Sequence, residues 1–166
     1  RSASDSLLQA AVFYGFCPAH GDGNAIVIGD PQDPSTEILR FDFPRQTRGR
    51  HLCLADYVRP DGDVLALQLV TMGPKMAEAT AELFEANAYR DYLELHGLSV
   101  HLTEALAEYW HARVRTELGV AGDDAADMAG ILKQKYRGER FAFGYPACPD
   151  LSNQKPFCEL LGADRI

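Results

Sequence analysis

Residues 63–96 read DVLALQLVTMGPKMAEATAELFEANAYRDYLELH, and the hydrophobic period changes inside them. Asp63 to Val70 is an aliphatic and β-branched run of strand length. From Lys75 to His96 the apolar residues Met76, Ala79, Leu83, Ala86, Tyr89 and Leu93 recur three or four apart, which is helical spacing. Upstream of this switch the candidate elements are strands. Ala11–Phe16 and Asn24–Ile28 flank the turn-rich CPAHGDG of residues 17–23 and read as a hairpin. Ile38–Phe43 alternates Ile38, Arg40 and Asp42 against Leu39, Phe41 and Phe43, and reads as a third strand. Downstream the elements are helices. Gly97 marks a break, and Ser99–Leu118 forms a second helix with Leu102, Leu106, Tyr109, Val114 and Leu118 along its apolar stripe. Gly119 suits its C-terminal stop. Asp123 suits the N-cap of a third helix from Asp124 to about Tyr136. Strands followed by helices predict an α+β fold with an antiparallel β-sheet and long helices. With no repeat, low-complexity tract or linker in 166 residues, a single domain over residues 1–166 is expected.

Composition narrows the function. A chain that is 46% hydrophobic and 10% aromatic can build a packed core. A formal net charge of -8 argues against a nucleic-acid partner. No apolar run approaches the ~20 residues that span a bilayer, so no membrane partner is expected. The opening RSASD lacks the apolar region of a signal peptide, and reads as an artificial extension or the end of a truncated helix. Four cysteines, at 17, 53, 148 and 158, form no Cys-x-x-Cys pair. Reduced thiols in the cytoplasm are expected rather than a disulfide framework.

The densest chemistry lies in Arg140-Phe141-Ala142-Phe143-Gly144-Tyr145-Pro146-Ala147-Cys148-Pro149-Asp150. A cationic fork suited to carboxylate or phosphate precedes a glycine, an aromatic ring and two prolines. From the residues alone, a ligand-gripping loop and a proline-rich connector between helices both remain open.

This run resembles the Arg-x-x-x-Gly-Tyr-Pro loop of the activation domain of cobalamin-dependent methionine synthase, and the match continues through Ala147-Cys148-Pro149. Cys53-Leu54-Ala55-Asp56-Tyr57-Val58 is similar to the family's Leu-Ala-Asp-aromatic-Val segment. Phe43-Pro44-Arg45-Gln46 resembles an Arg-Gln element just upstream. Glu104 to His111 with Arg113-Val114-Arg115 resembles the family's long helix, and Tyr136-Arg137-Gly138 leads into the loop. The family's domain carries further helices before this stretch and further strands after it, so the chain reads as the middle of that domain.

The resemblance implies S-adenosylmethionine as ligand. Its contacts would be Arg140, Gly144, Tyr145, Pro146 and Ala147, the last through its backbone, with Glu104 as an acidic contact from the long helix. It also implies a role in the reductive methylation of cob(II)alamin to methylcobalamin, with cobalamin held by a partner domain of methionine synthase and a flavodoxin or a reductase as electron donor. Methyl transfer from a sulfonium needs no general acid, so no catalytic residue is expected and the work is positioning. Glu104 and Glu108 share a helix face, yet acid–base work is not implied. The alternative is a docking or regulatory module for a corrinoid protein that binds S-adenosylmethionine weakly or not at all. A small hydrolase lacks any nucleophile motif here. The histidines at 20, 51, 96, 101 and 111 are scattered, and Cys17-Pro18-Ala19-His20 has no second pair at zinc spacing, so no metal is expected.

Overall fold

The computed structural model describes residues 6–163, so the opening RSASD lies outside the described residues. Four strands run in sequence: β1 (Ala11–Asp22), β2 (Ala25–Gly29), β3 (Glu37–Asp42) and β4 (Asp63–Thr71). They form one sheet in the order β3-β2-β1-β4, with β1/β2 and β2/β3 antiparallel. The helices α1 (Pro74–Glu85), α2 (Tyr89–Glu117), α3 (Met128–Leu132) and α4 (Gln154–Leu160) follow. The α+β architecture is the one the strand-then-helix order predicts. Contacts divide the described chain into two compact units, residues 6–13 with 68–139 and residues 14–67 with 140–163.

The second of these units contains β2 and β3. Ala25-Ile26-Val27-Ile28-Gly29 lies between β3 and β1 and is buried at every position, on both faces of the strand. A continuous apolar run is what such a strand requires. The expected turn over residues 17–23 is instead strand: β1 continues through Pro18 and Gly21 to Asp22, which pairs with Ala25. The true turn is the two residues Gly23-Asn24, with Gly23 at φ 62 in the first central position, where a type II′ hairpin needs glycine. Gly21 has a different task. A Cβ there would stand 2.6 Å from the Val58 carbonyl oxygen and 2.9 Å from that of Ala55, so only glycine lets residues 55–58 lie against β1. Cys17, Ile26, Ile28, Phe41, Phe43 and Leu67 form the centre of this unit's core.

In the other unit the helices depart from their expected bounds. The break falls at Asn87, with φ 57, and Gly97 lies inside the 29-residue α2. Asparagine tolerates the left-handed region, and a lone glycine inside a long helix costs only ~1 kcal/mol. Phe84 packs edge-on against Tyr89 and Tyr92 at 5.6 and 5.3 Å, closing the α1–α2 corner. The stripe expected along α2 holds in part: Val114 is buried and Leu102 and Leu106 are half-buried, but Tyr109 is 61% exposed and Leu118 is exposed, and the other buried positions are Ala107, His111 and Arg115. The C-terminal stop at Gly119 is as expected: Gly119 donates to the Thr116 carbonyl and Val120 to that of Arg115, a Schellman arrangement with Gly119 at φ 71. The third helix is five residues, not thirteen or so. Its N-cap is Asp127, which accepts from the Gly130 amide at 2.7 Å, while the expected cap position 123 ends the 3₁₀ turn Ala121–Asp123. Gly130 and the positive φ of 56 at Gln134 keep the helix short.

Candidate functional site

The Arg140–Asp150 loop belongs to the unit of residues 14–67 and 140–163. Its shape follows from three local devices. Phe143-Gly144 forms a turn in which Gly144 has φ 90, the sign a type II turn requires at its second central residue. Tyr145-Pro146-Ala147-Cys148 is a second turn, closed by the Cys148 amide donating to the Tyr145 carbonyl at 2.8 Å, with proline in its favoured place. The Gly144 amide donates to the Cys148 carbonyl, also at 2.8 Å, and ties the two turns together. The backbone polar groups of the loop thus hold its own form.

Side chains anchor it. Phe143 meets Phe41 at 6.3 Å and Phe157 edge-on at 5.3 Å, while Phe141 packs on Tyr57 at 5.4 Å. Cys148 is 5% exposed within the core, and burial, with a smaller push from Asp150, raises its thiol to about 11. It is a neutral packing group at physiological pH. Asp150 accepts from the Ser152 amide at 2.9 Å and starts the 3₁₀ turn that leads into α4. What the anchors leave outside is the tip. Tyr145 is 63% exposed, Gly144 and Pro146 are exposed, and Ala147 and Arg140 are half-buried. A Cβ on Gly144 would approach Leu151 Cδ2 to 3.3 Å. Arg140, Gly144, Tyr145, Pro146 and Ala147 therefore lie on one anchored loop. Glu104 lies on α2, exposed, in the other unit.

The other two matched segments of the loop's unit make a structural clasp. Arg45 holds Asp56 through both guanidinium amines at 2.8 Å, and donates to Asn24 Oδ1 and the His51 carbonyl, each at 2.8 Å. Asp56 also accepts from the Cys53 amide at 2.8 Å. The Arg45 guanidinium, helped by that amide, pulls the Asp56 carboxyl down to about 2. A bidentate pair of this kind fixes geometry, and it seats the 3₁₀ turn Leu54–Tyr57, whose Tyr57 carries Phe141.

Sequence reasoning passed over a buried polar cluster on α2. The side chain of Arg115 is 3% exposed, ion-paired to Asp124 at 2.5 Å and stacked on Tyr136 with its guanidinium carbon 4.2 Å from the ring centre. Arg115 also meets His111 Nδ1 at 3.0 Å, and His111 Nε2 lies 2.8 Å from the Gly138 carbonyl. The signal was present as Tyr136 and Gly138 ahead of the loop and as polar residues four apart on a helix. Nothing in the spacing showed that they would be buried. Among the described residues no group of three His, Cys, Asp or Glu side chains could hold a metal ion, and no helix is long and apolar enough to cross a membrane.

An α+β protein whose surface loop carries this arginine, glycine, tyrosine and proline is matched over residues 1–166 by the family described as vitamin B12 dependent methionine synthase, activation domain. The chain belongs to that family. It is 49% identical over 182 residues to methionine synthase of Mycobacterium tuberculosis (strain ATCC 25618 / H37Rv), covering 100% of this chain and 15% of that protein. It is 49% identical over 175 residues to methionine synthase of Mycobacterium leprae (strain TN), covering 96% and 14%. A crystal structure of the MetH reactivation domain bound to AdoHcy superposes with a TM-score of 0.82 at 27% identity, covering 96% of this chain and 52% of that one. The chain thus spans a small part of the methionine synthases it matches, and about half the length of the solved domain.

Proposed function

We propose that this chain binds S-adenosylmethionine on the Arg140–Ala147 loop and serves the reactivation of a cobalamin-dependent methionine synthase. One observation carries the reading: the family's Arg-x-x-x-Gly-Tyr-Pro residues stand together on a loop that is anchored from below and bare at its tip. The superposable relative is described as bound to AdoHcy, which is S-adenosylmethionine after loss of its methyl group.

The residues fit that ligand. The Arg140 fork suits its carboxylate. The exposed Tyr145 ring offers a face for an apolar or cationic group and a hydroxyl for a hydrogen bond. Gly144 and Ala147 allow close approach of the backbone. The carboxylate of Glu104 suits the ligand's ammonium or ribose hydroxyls. Since these groups neither give nor take a proton in a methyl transfer, their contribution is to hold the sulfonium methyl in one orientation. Cobalamin, carried by another domain of the synthase, supplies the metal-centred methyl acceptor, and a flavodoxin or reductase supplies the electron. The free cysteines fit a cytoplasmic setting.

Thermal melting tests the reading. A ligand that binds only the folded chain adds about 2.7 kcal/mol at a hundred times its dissociation constant. The melting temperature should rise with S-adenosylmethionine and with AdoHcy, and not with methionine or adenosine at equal concentration. No rise at millimolar S-adenosylmethionine would turn the reading towards a docking module.

A further inference from the structure

We propose that Tyr57 is a positioning residue for the S-adenosylmethionine loop, propping Phe141, the residue next to Arg140. The inference rests on the reading of Arg140 as a ligand contact, and every residue it uses belongs to the unit of residues 14–67 and 140–163.

Two phenylalanines lead into the loop tip, and they are held differently. Phe143 packs on the core, against Phe41 at 6.3 Å and Phe157 at 5.3 Å. Phe141 is 41% exposed and takes the Tyr57 ring at 5.4 Å, the planes tilted by 57°. Consecutive Cα atoms are ~3.8 Å apart, so the hold on Phe141 bears directly on the backbone of Arg140, whereas Phe143 is held further along.

A prop serves only if it is itself fixed. Tyr57 is 50% exposed, so its own burial does not fix it. Its neighbours do. On one side Asp56 is held by both guanidinium amines of Arg45 at 2.8 Å and accepts from the Cys53 amide, also at 2.8 Å. On the other side Val58 is buried, and its amide donates to the Ala55 carbonyl at 3.1 Å. One residue beyond, the Arg59 carbonyl accepts from the Gly21 amide of β1 at 3.2 Å, an approach open only because Gly21 has no Cβ. The backbone of Tyr57 is thus pinned between Arg45 and β1, and its ring is delivered to one place. The contact with Phe141 is ring on ring, so phenylalanine can stand in for tyrosine, while alanine removes the face on which Phe141 packs. Without that face the stem of the loop samples more than one arrangement. The apparent affinity then falls by the fraction of molecules in the binding-competent one.

The test is calorimetric titration with S-adenosylmethionine, well below the melting temperature. It compares wild type, Tyr57→Phe, Tyr57→Ala, Phe141→Ala and the double variant of the last two, with Gly49→Ala as a control for lost stability. Both rings are half exposed, so their removal leaves the core intact. Tyr57→Phe should bind as wild type, and Tyr57→Ala about two- to tenfold more weakly, the worth of one aromatic pair. The double variant should bind no more weakly than Phe141→Ala, because Tyr57 acts through that ring. Gly49→Ala places a Cβ at φ 75 in the same unit and should melt lower yet bind as wild type. Wild-type affinity in Tyr57→Ala, weakened binding in Tyr57→Phe, losses that add in the double variant, or an equal loss in Gly49→Ala each overturns the proposal while wild-type binding leaves the Arg140 reading standing. A wild-type chain that binds no S-adenosylmethionine overturns the Arg140 reading, and the positioning claim with it.

Discussion

Gly144→Ala probes the loop at the point where its form is least tolerant. At φ 90 the residue lies beyond even the usual left-handed basin, where a Cβ costs about 1–2 kcal/mol. The added Cβ would also stand 3.3 Å from Leu151 Cδ2, a tight contact. Leu151 is 56% exposed and can turn aside, so this contact adds little. Alanine narrows the unfolded ensemble, which offsets roughly 0.4–1 kcal/mol. A net loss of about 1 kcal/mol remains, or a fall of about 2–4 °C in melting temperature for a chain of this size. Gly49→Ala is the control: its φ of 75 is also positive, and nothing lies within 4 Å of its Cβ. Both variants should melt lower. Only Gly144→Ala should also weaken binding of S-adenosylmethionine, because only there does the backbone of the loop tip have to move. Unchanged melting in Gly144→Ala, or equal loss of affinity in both variants, would refute the reasoning.

Two further expectations concern the scaffold. Asp56 is held at about 2 against an ordinary value of 3.8, so the Arg45 clasp stabilises fully above the ordinary value and loses its effect as the pH falls through about 2. The gap in urea midpoint between wild type and Asp56→Asn should be constant above about pH 5 and narrow steadily below about pH 4; a gap independent of pH would mean that the carboxylate charge is not what holds the clasp. Gly97 sits inside α2 with nothing within 4 Å of an added Cβ, so Gly97→Ala should stabilise by roughly 0.5–1 kcal/mol in thermal melts, and a destabilised variant would show that the helix needs its glycine.

Much of this was legible in the residues. The alternation of Ile38–Phe43 and the run from Asp63 gave strands within a residue or so of β3 and β4, and Gly119 gave the end of α2. These signals are local, and the chain obeys them. The errors arose where two residues offered the same punctuation and the fold used one. Gly97 and Asn87 can both interrupt a helix, and the α1–α2 corner formed where Phe84, Tyr89 and Tyr92 could close it. Pro18 and Gly21 read as a turn, yet Gly21 serves a close approach by residues 55–58, a partner distant in sequence. The loop itself was legible as a motif. Its supports were not, since Phe41, Phe157 and Tyr57 gather beneath it from separate segments. His111 and Arg115 were hidden for the same reason: a polar pair four apart on a helix reads as a solvated face until burial is known.

The most direct test of ligand binding by this loop is calorimetric titration of the chain with S-adenosylmethionine beside Arg140→Ala. Saturable binding in wild type that is lost or strongly weakened in Arg140→Ala, with both proteins melting alike, is the predicted result. Binding that survives the substitution unchanged would contradict the assignment of the site to this loop, and an absence of binding in both would contradict the assignment of the ligand.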